Sequence, residues 1–137
     1  PLAFYHIFTF GALGSDVVVR LFPRKQVQWA GRVHERPICS LPVARLSGYL
    51  EHHTYTSLAQ WEGKAAQYSR VWAEQAYAQG RTTTPLNAIL HAGFAFVKAY
   101  VLQLGFLEGW HGFFAAYQHS YYTFMKYLKL LEKQTNC

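Results

Sequence analysis

Between residues 85 and 107 the chain carries one charged side chain, Lys98. A helix of ~20 apolar residues can cross a bilayer, so this stretch constrains the fold more than any other. Thr84-Pro85 supplies its start signal, with the hydroxyl as N-cap and proline in the first turn. Asn87, His91, Lys98 and Gln103 interrupt it, and Gly105, Gly109 and Gly112 break the continuation "GFLEGWHGFF". The pattern predicts a buried or interfacial helix followed by a glycine-rich turn, in preference to a true span.

Helices are expected on both sides. Ser57 followed by Gln60 has capping-box spacing, so a helix should start near Ser57. Leu58, Trp61, Ala65, Tyr68, Trp72 and Ala76 then recur at three- and four-residue steps, and Gly80 is a natural terminator. In the tail "FFAAYQHSYYTFMKYLKLLEK", Tyr117, Tyr121, Phe124, Leu128 and Leu131 form one stripe. His119, Tyr122, Lys126, Lys129 and Lys133 form the opposite one. A cationic face opposed to an aromatic face suits a helix lying among lipid headgroups. It equally suits an aromatic stripe packed on the domain with solvated lysines.

The first half reads as extended. "DVVVRLF" (residues 16–22) and "VQWAG" (27–31) are β-branched and aromatic runs separated by "PRKQ", which predicts a hairpin. Residues 44–55, "ARLSGYLEHHTY", read as a third extended run with Leu46, Gly48, Leu50 and His52 on one face. The fold class is therefore α+β and mainly helical, with a division near residues 55 and 56. With 137 residues the chain is long enough for a real core. Its opening, "PLAFYHIFTF", has no signal-peptide layout and is expected to be an entry in mid-domain, as of a fragment. Cys39 and Cys137 lie too far apart in sequence to announce a disulfide framework, and free thiols are expected.

The formal charge is +6, and residues 1–53 hold Arg20, Arg24, Lys25, Arg32, Arg36 and Arg45 against Asp16, Glu35 and Glu51. Such a balance suits phosphates, whether of nucleotide, nucleic acid or lipid. The tail lysines alternate with long apolar residues, which favours a lipid surface, and no nucleic-acid partner is expected. Ligand-capable residues gather in "WAGRVHERP" (residues 29–37). His34 could offer a metal ligand and Glu35 a base, or the two could be a surface pair beside Arg32 and Arg36. Neighbouring strand residues point to opposite faces, so one ligand is reached by both only in an irregular segment. In His52-His53 one ring must face inward if this is a strand, either as a core histidine hydrogen-bonded to backbone or as a second source of ligands. Arg20 either anchors a phosphate or marks a solvent face. No structural-zinc spacing, P-loop, G-x-S-x-G elbow or H-E-x-x-H motif occurs.

Several segments in order, "VRLFPRKQVQWAGRVHE", "LSGYLEHHTYTSLAQWEGKAAQYS" and "FVKAYVLQLGFLEGWHGFFAAYQHSYYTFMKYLKL", resemble the C-terminal half of bacterial family 2 glycosyltransferases. The nearest subgroup is the lipopolysaccharide core, β-1,4-glucosyltransferase-like one. The pattern R-L-F, W-x-G-x-V-H-E, L-x-H-x-[ST]-Y-x-[SD]-L and G-F-L-[DE]-G-x-x-G-F is matched by residues 20–22, 29–35, 50–58 and 105–113. The resemblance covers the chain from about Val17 onward. The stretch before Arg20, "FGALGSDVVV", departs from the Gly-Trp-Tyr-Pro-Asp-like pattern of that family, which leaves the acceptor open.

The resemblance implies the C-terminal part of a GT-A-type fold, without the Rossmann-like half that binds a nucleotide-sugar donor. That half would carry the metal-binding Asp-x-Asp, and Asp16 is the only aspartate here. It further implies Glu35 as a catalytic residue and His34 as a metal contact. Arg20, Trp29 and His52 would line the substrate cleft, and a divalent Mg or Mn ion is expected only in the complete enzyme. The implied acceptor is lipid-linked or lipopolysaccharide. The implied location is the cytoplasmic face of the bacterial inner membrane, held peripherally by Lys126, Lys129 and Lys133 on an anionic surface. A non-catalytic module that docks on the membrane interface is the competing expectation.

Overall fold

A computed structural model describes residues 2–3, 6–14, 19, 21–23, 25, 27–30, 36–38, 40–47 and 53–135. The chain is mainly helical with a minor share of strand. It forms two compact units, one of Pro1–Ser15 with His52–Cys137 and the other of Asp16–Glu51. This differs from a break after residue 55, because the first residues of the chain join the helices. Strand β1 (Leu2–Ala3) pairs antiparallel with β2 (His6–Ile7), Ala3 opposite His6. The other edge of β1 pairs in parallel with β5 (His53–Tyr55).

In the smaller unit, β3 (Gln28–Ala30) pairs antiparallel with β4 (Arg36–Ile38), setting Trp29 opposite Pro37. The described partner of the "VQWAG" strand is the segment after it; residues 16–18 and 20 of the expected hairpin partner "DVVVRLF" lie outside the described residues. Among the described residues of that run, Val19, Leu21 and Phe22 adopt no regular structure. In the expected third run, strand is confined among the described residues to β5.

The helical punctuation follows the sequence signals. Helix α1 spans Leu58–Ala78, and the Ser57 hydroxyl accepts the Gln60 amide at 3.2 Å. The Gln60 side chain reaches back to the Thr56 amide at 2.9 Å, one residue earlier than a standard capping box. Gly80, with φ +71°, turns the chain out of α1. Helix α2, Pro85–Val97, starts under the Thr84 hydroxyl, which accepts the Asn87 amide at 3.2 Å. It runs on as a π-helical turn, Lys98–Leu102, closed by the Gln103 amide on the Lys98 carbonyl. A 3-10 turn, Gly105–Glu108, then leads into α3, Gly109–Thr135.

Helix α3 packs against both α1 and α2, and small residues make those contacts. Helix α2 buries Ala88, Ala92 and Ala95, and Ala99 continues the row. Helix α1 buries Ser69, Ala73 and Ala76; α3 buries Gly112, Ala115 and Ala116. Two apolar clusters result. Ala3, Phe8 and Ala115 form one beside Leu13 and Tyr55, and Ala73, Ala76 and Leu130 form the other beside Trp72. Where the small residues face one another the helix backbones come close, and Ser120 reaches across to the Ala92 carbonyl at 2.8 Å.

Candidate functional site

Of the residues the sequence nominated for catalysis and substrate binding, Arg20, His34, Glu35 and His52 lie outside the described residues. Trp29 is described: it stands 59% exposed on β3, with the Phe22 ring edge-on at 5.6 Å. No group of three metal-ligating side chains occurs among the described residues.

The tail lysines are oriented by α1. Lys126 is half-buried, its Nζ 4.9 Å above the Trp72 ring and 5.1 Å above that of Tyr122. Burial pulls its pKa below the ordinary lysine value. Lys129 Nζ donates to the Ala66 carbonyl at 2.9 Å and to Ser69 Oγ at 2.7 Å. Lys133 is half-buried. The cationic stripe of α3 therefore turns toward α1. Two of the three lysines assigned to the membrane are engaged inside the helical unit, because ring faces and a helix carbonyl satisfy an ammonium that no carboxylate meets there.

A carboxylate missed by the sequence reading fastens the N-terminal strands to the start of α3. Glu108 Oε2 lies 2.7 Å from His6 Nε2, and its Oε1 accepts the Thr9 and Phe10 amides at 2.8 Å each. The His6 ring lies flat on that of His111, with centroids 4.1 Å apart. The only local hint was a lone acid within a long apolar stretch. Burial pushes the Glu108 carboxyl upward. The hydrogen bonds from His6, Phe10 and Thr9, with the nearby imidazole, outweigh it and hold the group below its ordinary 4.5. A depressed carboxylate pKa stabilises the fold above the unfolded value, and that contribution fades as pH falls through the folded one. Glu108→Gln should therefore cost about 1.5–3 kcal/mol at neutral pH, the range for hydrogen bonds to a charged group. Thermal unfolding at pH 7 and pH 3 checks this, since the gap between variant and parent should narrow in acid.

A broad apolar face lies on the surface of the helical unit. Opposite its alanine row, α2 presents Leu86, Ile89, Leu90, Phe94 and Val97, with Phe94 61% exposed. The face continues through Val101, Leu102, Leu104, Phe106 and Leu107 to Trp110, which is 70% exposed. Phe113, Tyr117 and Tyr121 extend it along α3 in three- and four-residue steps. Phe113 knits the helices together: its ring meets Phe96 at 5.7 Å, Tyr100 at 5.8 Å and Trp110 at 5.6 Å. Lys98 is exposed at the turn.

Small residues inside and large apolar ones outside reverse the usual order of a water-soluble bundle. The same inversion is how helices pack when the surrounding medium is as apolar as leucine. Residues 85–102 have a mean hydropathy of 1.3 and are 22% buried, by length and composition enough to cross a membrane. The sequence signal for this face was present in the alanine row at residues 88, 92, 95 and 99.

No family model matches the chain, and no solved structure matches it significantly.

Proposed function

We propose that the chain docks on a membrane surface through the outer face of α2 and the first half of α3. In this reading it is the acceptor-side, C-terminal part of a family 2 glycosyltransferase with a GT-A-type fold. One observation carries the docking: the bulky apolar residues of α2 lie outside while its alanines form the helix contacts. An exposed apolar patch of that extent marks an interaction surface. Trp110, Tyr117 and Tyr121 along it are the amphipathic rings favoured at a bilayer interface. The proposed location is the cytoplasmic face of the bacterial inner membrane, as a peripheral protein.

The catalytic part of the reading rests on the linked motifs R-L-F, W-x-G-x-V-H-E and G-F-L-E-G-x-x-G-F. Sugar would pass from a nucleotide-sugar to a hydroxyl of a lipid-linked or lipopolysaccharide acceptor. Glu35 takes the proton of that hydroxyl as it attacks the anomeric carbon, and the nucleoside diphosphate leaves. Arg20, Trp29 and His52 line the cleft, and His34 borders the divalent metal of the complete enzyme. Docking keeps such a protein at the depth where a lipid-borne hydroxyl is presented.

With no Asp-x-Asp in its sequence, the isolated chain should transfer no sugar from any nucleotide-sugar, and measurable transfer would overturn the catalytic assignment. It should still float with phosphatidylcholine vesicles, because the apolar face is complete within it. Flotation without any contribution of Glu35 to transfer in the complete protein would favour the non-catalytic docking module.

A further inference from the structure

The helical unit contains a cleft of about 430 Å³ at the end away from the glycine-rich turn. Its walls come from the second half of α1, residues 80–83, the first turns of α2 and the last turns of α3. Trp72 and Tyr127 form an aromatic floor, their rings 5.1 Å apart, and the His91 ring lies flat on Tyr127 at 4.4 Å. Arg81, Thr82 and Asn87 complete the polar lining.

The donors here are unmatched. Among the described residues, the side chains of Arg81, Asn87 and His91 have no hydrogen-bond or ion-pair partner, and no acidic residue lines the cleft. The Lys126 ammonium adds positive charge on the Trp72 ring. A guanidinium, a carboxamide and an imidazole around one concavity, with a fixed ammonium nearby, are the set that hydrogen-bonds a phosphate. Position says where that phosphate comes from. Asn87 and His91 share their helical turns with Leu86 and Leu90 of the apolar face, so a docked α2 brings the cleft to headgroup level.

We propose that this cleft binds the free phosphomonoester of an anionic lipid headgroup, which the choline-capped phosphodiester of phosphatidylcholine lacks, Arg81 and His91 being its main contacts; the lipid source rests on the docking reading above. The test uses the whole chain and the variant Arg81→Gln/His91→Gln. Both side chains are exposed, so the variant should keep its fold, which circular dichroism verifies. Binding is measured to phosphatidylcholine vesicles with and without phosphatidic acid, and NMR titration with inorganic phosphate follows the His91 ring.

Phosphatidic acid should tighten binding of the parent chain on the order of ten-fold, as expected for charge-assisted hydrogen bonds. The double variant should lose that gain while keeping its affinity for pure phosphatidylcholine. Equal affinity of the parent for both vesicles, or an equal loss on both by the variant, overturns the headgroup site. If neither vesicle binds but phosphate still shifts the His91 ring, docking falls and the cleft stands as a site for free phosphate. Neither binding nor a shift sinks both.

Discussion

Gly112→Ala should destabilise the helical unit by about 3 kcal/mol, the upper part of the range for forcing an extra methyl into packed structure. A Cβ at Gly112 would fall on the backbone carbonyl of Gly105, with the Glu108 Cβ also 2.9 Å away. Gly105 cannot retreat, because a Cβ of its own would already stand 2.5 Å from the Ala99 carbonyl. Three successive pieces of backbone, the π turn, the 3-10 turn and the first turns of α3, are thus stacked without side chains between them. For a unit of this size the loss corresponds to a fall in Tm on the order of 10–20 °C. Gly63→Ala is the matched control. It is helical and nothing lies within 4 Å of the added methyl, so it should stabilise by roughly 0.5–1 kcal/mol. Similar Tm values for the two variants would mean that the helices do not cross at Gly112.

Leu90→Asp combined with Phe94→Asp should abolish vesicle binding and leave folding intact. Both side chains are about 60% exposed, so replacing them removes little from the core. On docking as proposed, each would bury apolar area, a gain of about 1.5–3 kcal/mol per side chain. Losing both should weaken binding by two orders of magnitude or more, and charge in the hydrocarbon adds to the effect. Flotation and circular dichroism together check this. Unchanged flotation sinks the docking reading; loss of a dimer in sedimentation, with vesicle binding unaltered, assigns the face to a second copy of the chain. Reversing Lys126, Lys129 and Lys133 to glutamate is a poorer probe of docking. Lys126 and Lys129 hold α1 against α3, so that variant should unfold before it detaches.

The sequence was most legible where the signal is local. Ser57, Gly80, Thr84 and Pro85 mark helix ends through bonds that span three or four residues, and those bonds are present. What escaped depends on distant partners. Glu108 meets His6 and the Thr9 and Phe10 amides about a hundred positions away, and no periodicity encodes that. The facing of α3 was ambiguous because both its stripes contain rings and long aliphatic stems; the choice was made by α1, whose Trp72 and Ser69 accept the lysines. Strand propensity reflects a surface that must find a neighbour, and the one that Trp29 finds among the described residues is Pro37, after a short connection. The proposed catalytic residues Glu35 and His34 were nominated from residue type and motif, and of the nominated catalytic and substrate-binding residues Trp29 is the one the structure describes.

The left-handed Leu104 (φ 58°) and Gly109 (φ +58°) make the corner between α2 and α3 abrupt, and that corner is the most apolar end of the pair. Leu102, Leu104, Phe106, Leu107 and Trp110 crowd it, whereas Arg81, Gln134 and Lys133 occupy the opposite end. Polarity therefore grades along the helix axes as well as around them. Docked as proposed, a rod graded in this way would not lie level in a bilayer: it would enter deepest at the corner, like a wedge, with its polar heel among the headgroups. Such a wedge spreads lipids of the leaflet it enters, so binding should strengthen on small, tightly curved vesicles whose outer leaflet already gapes.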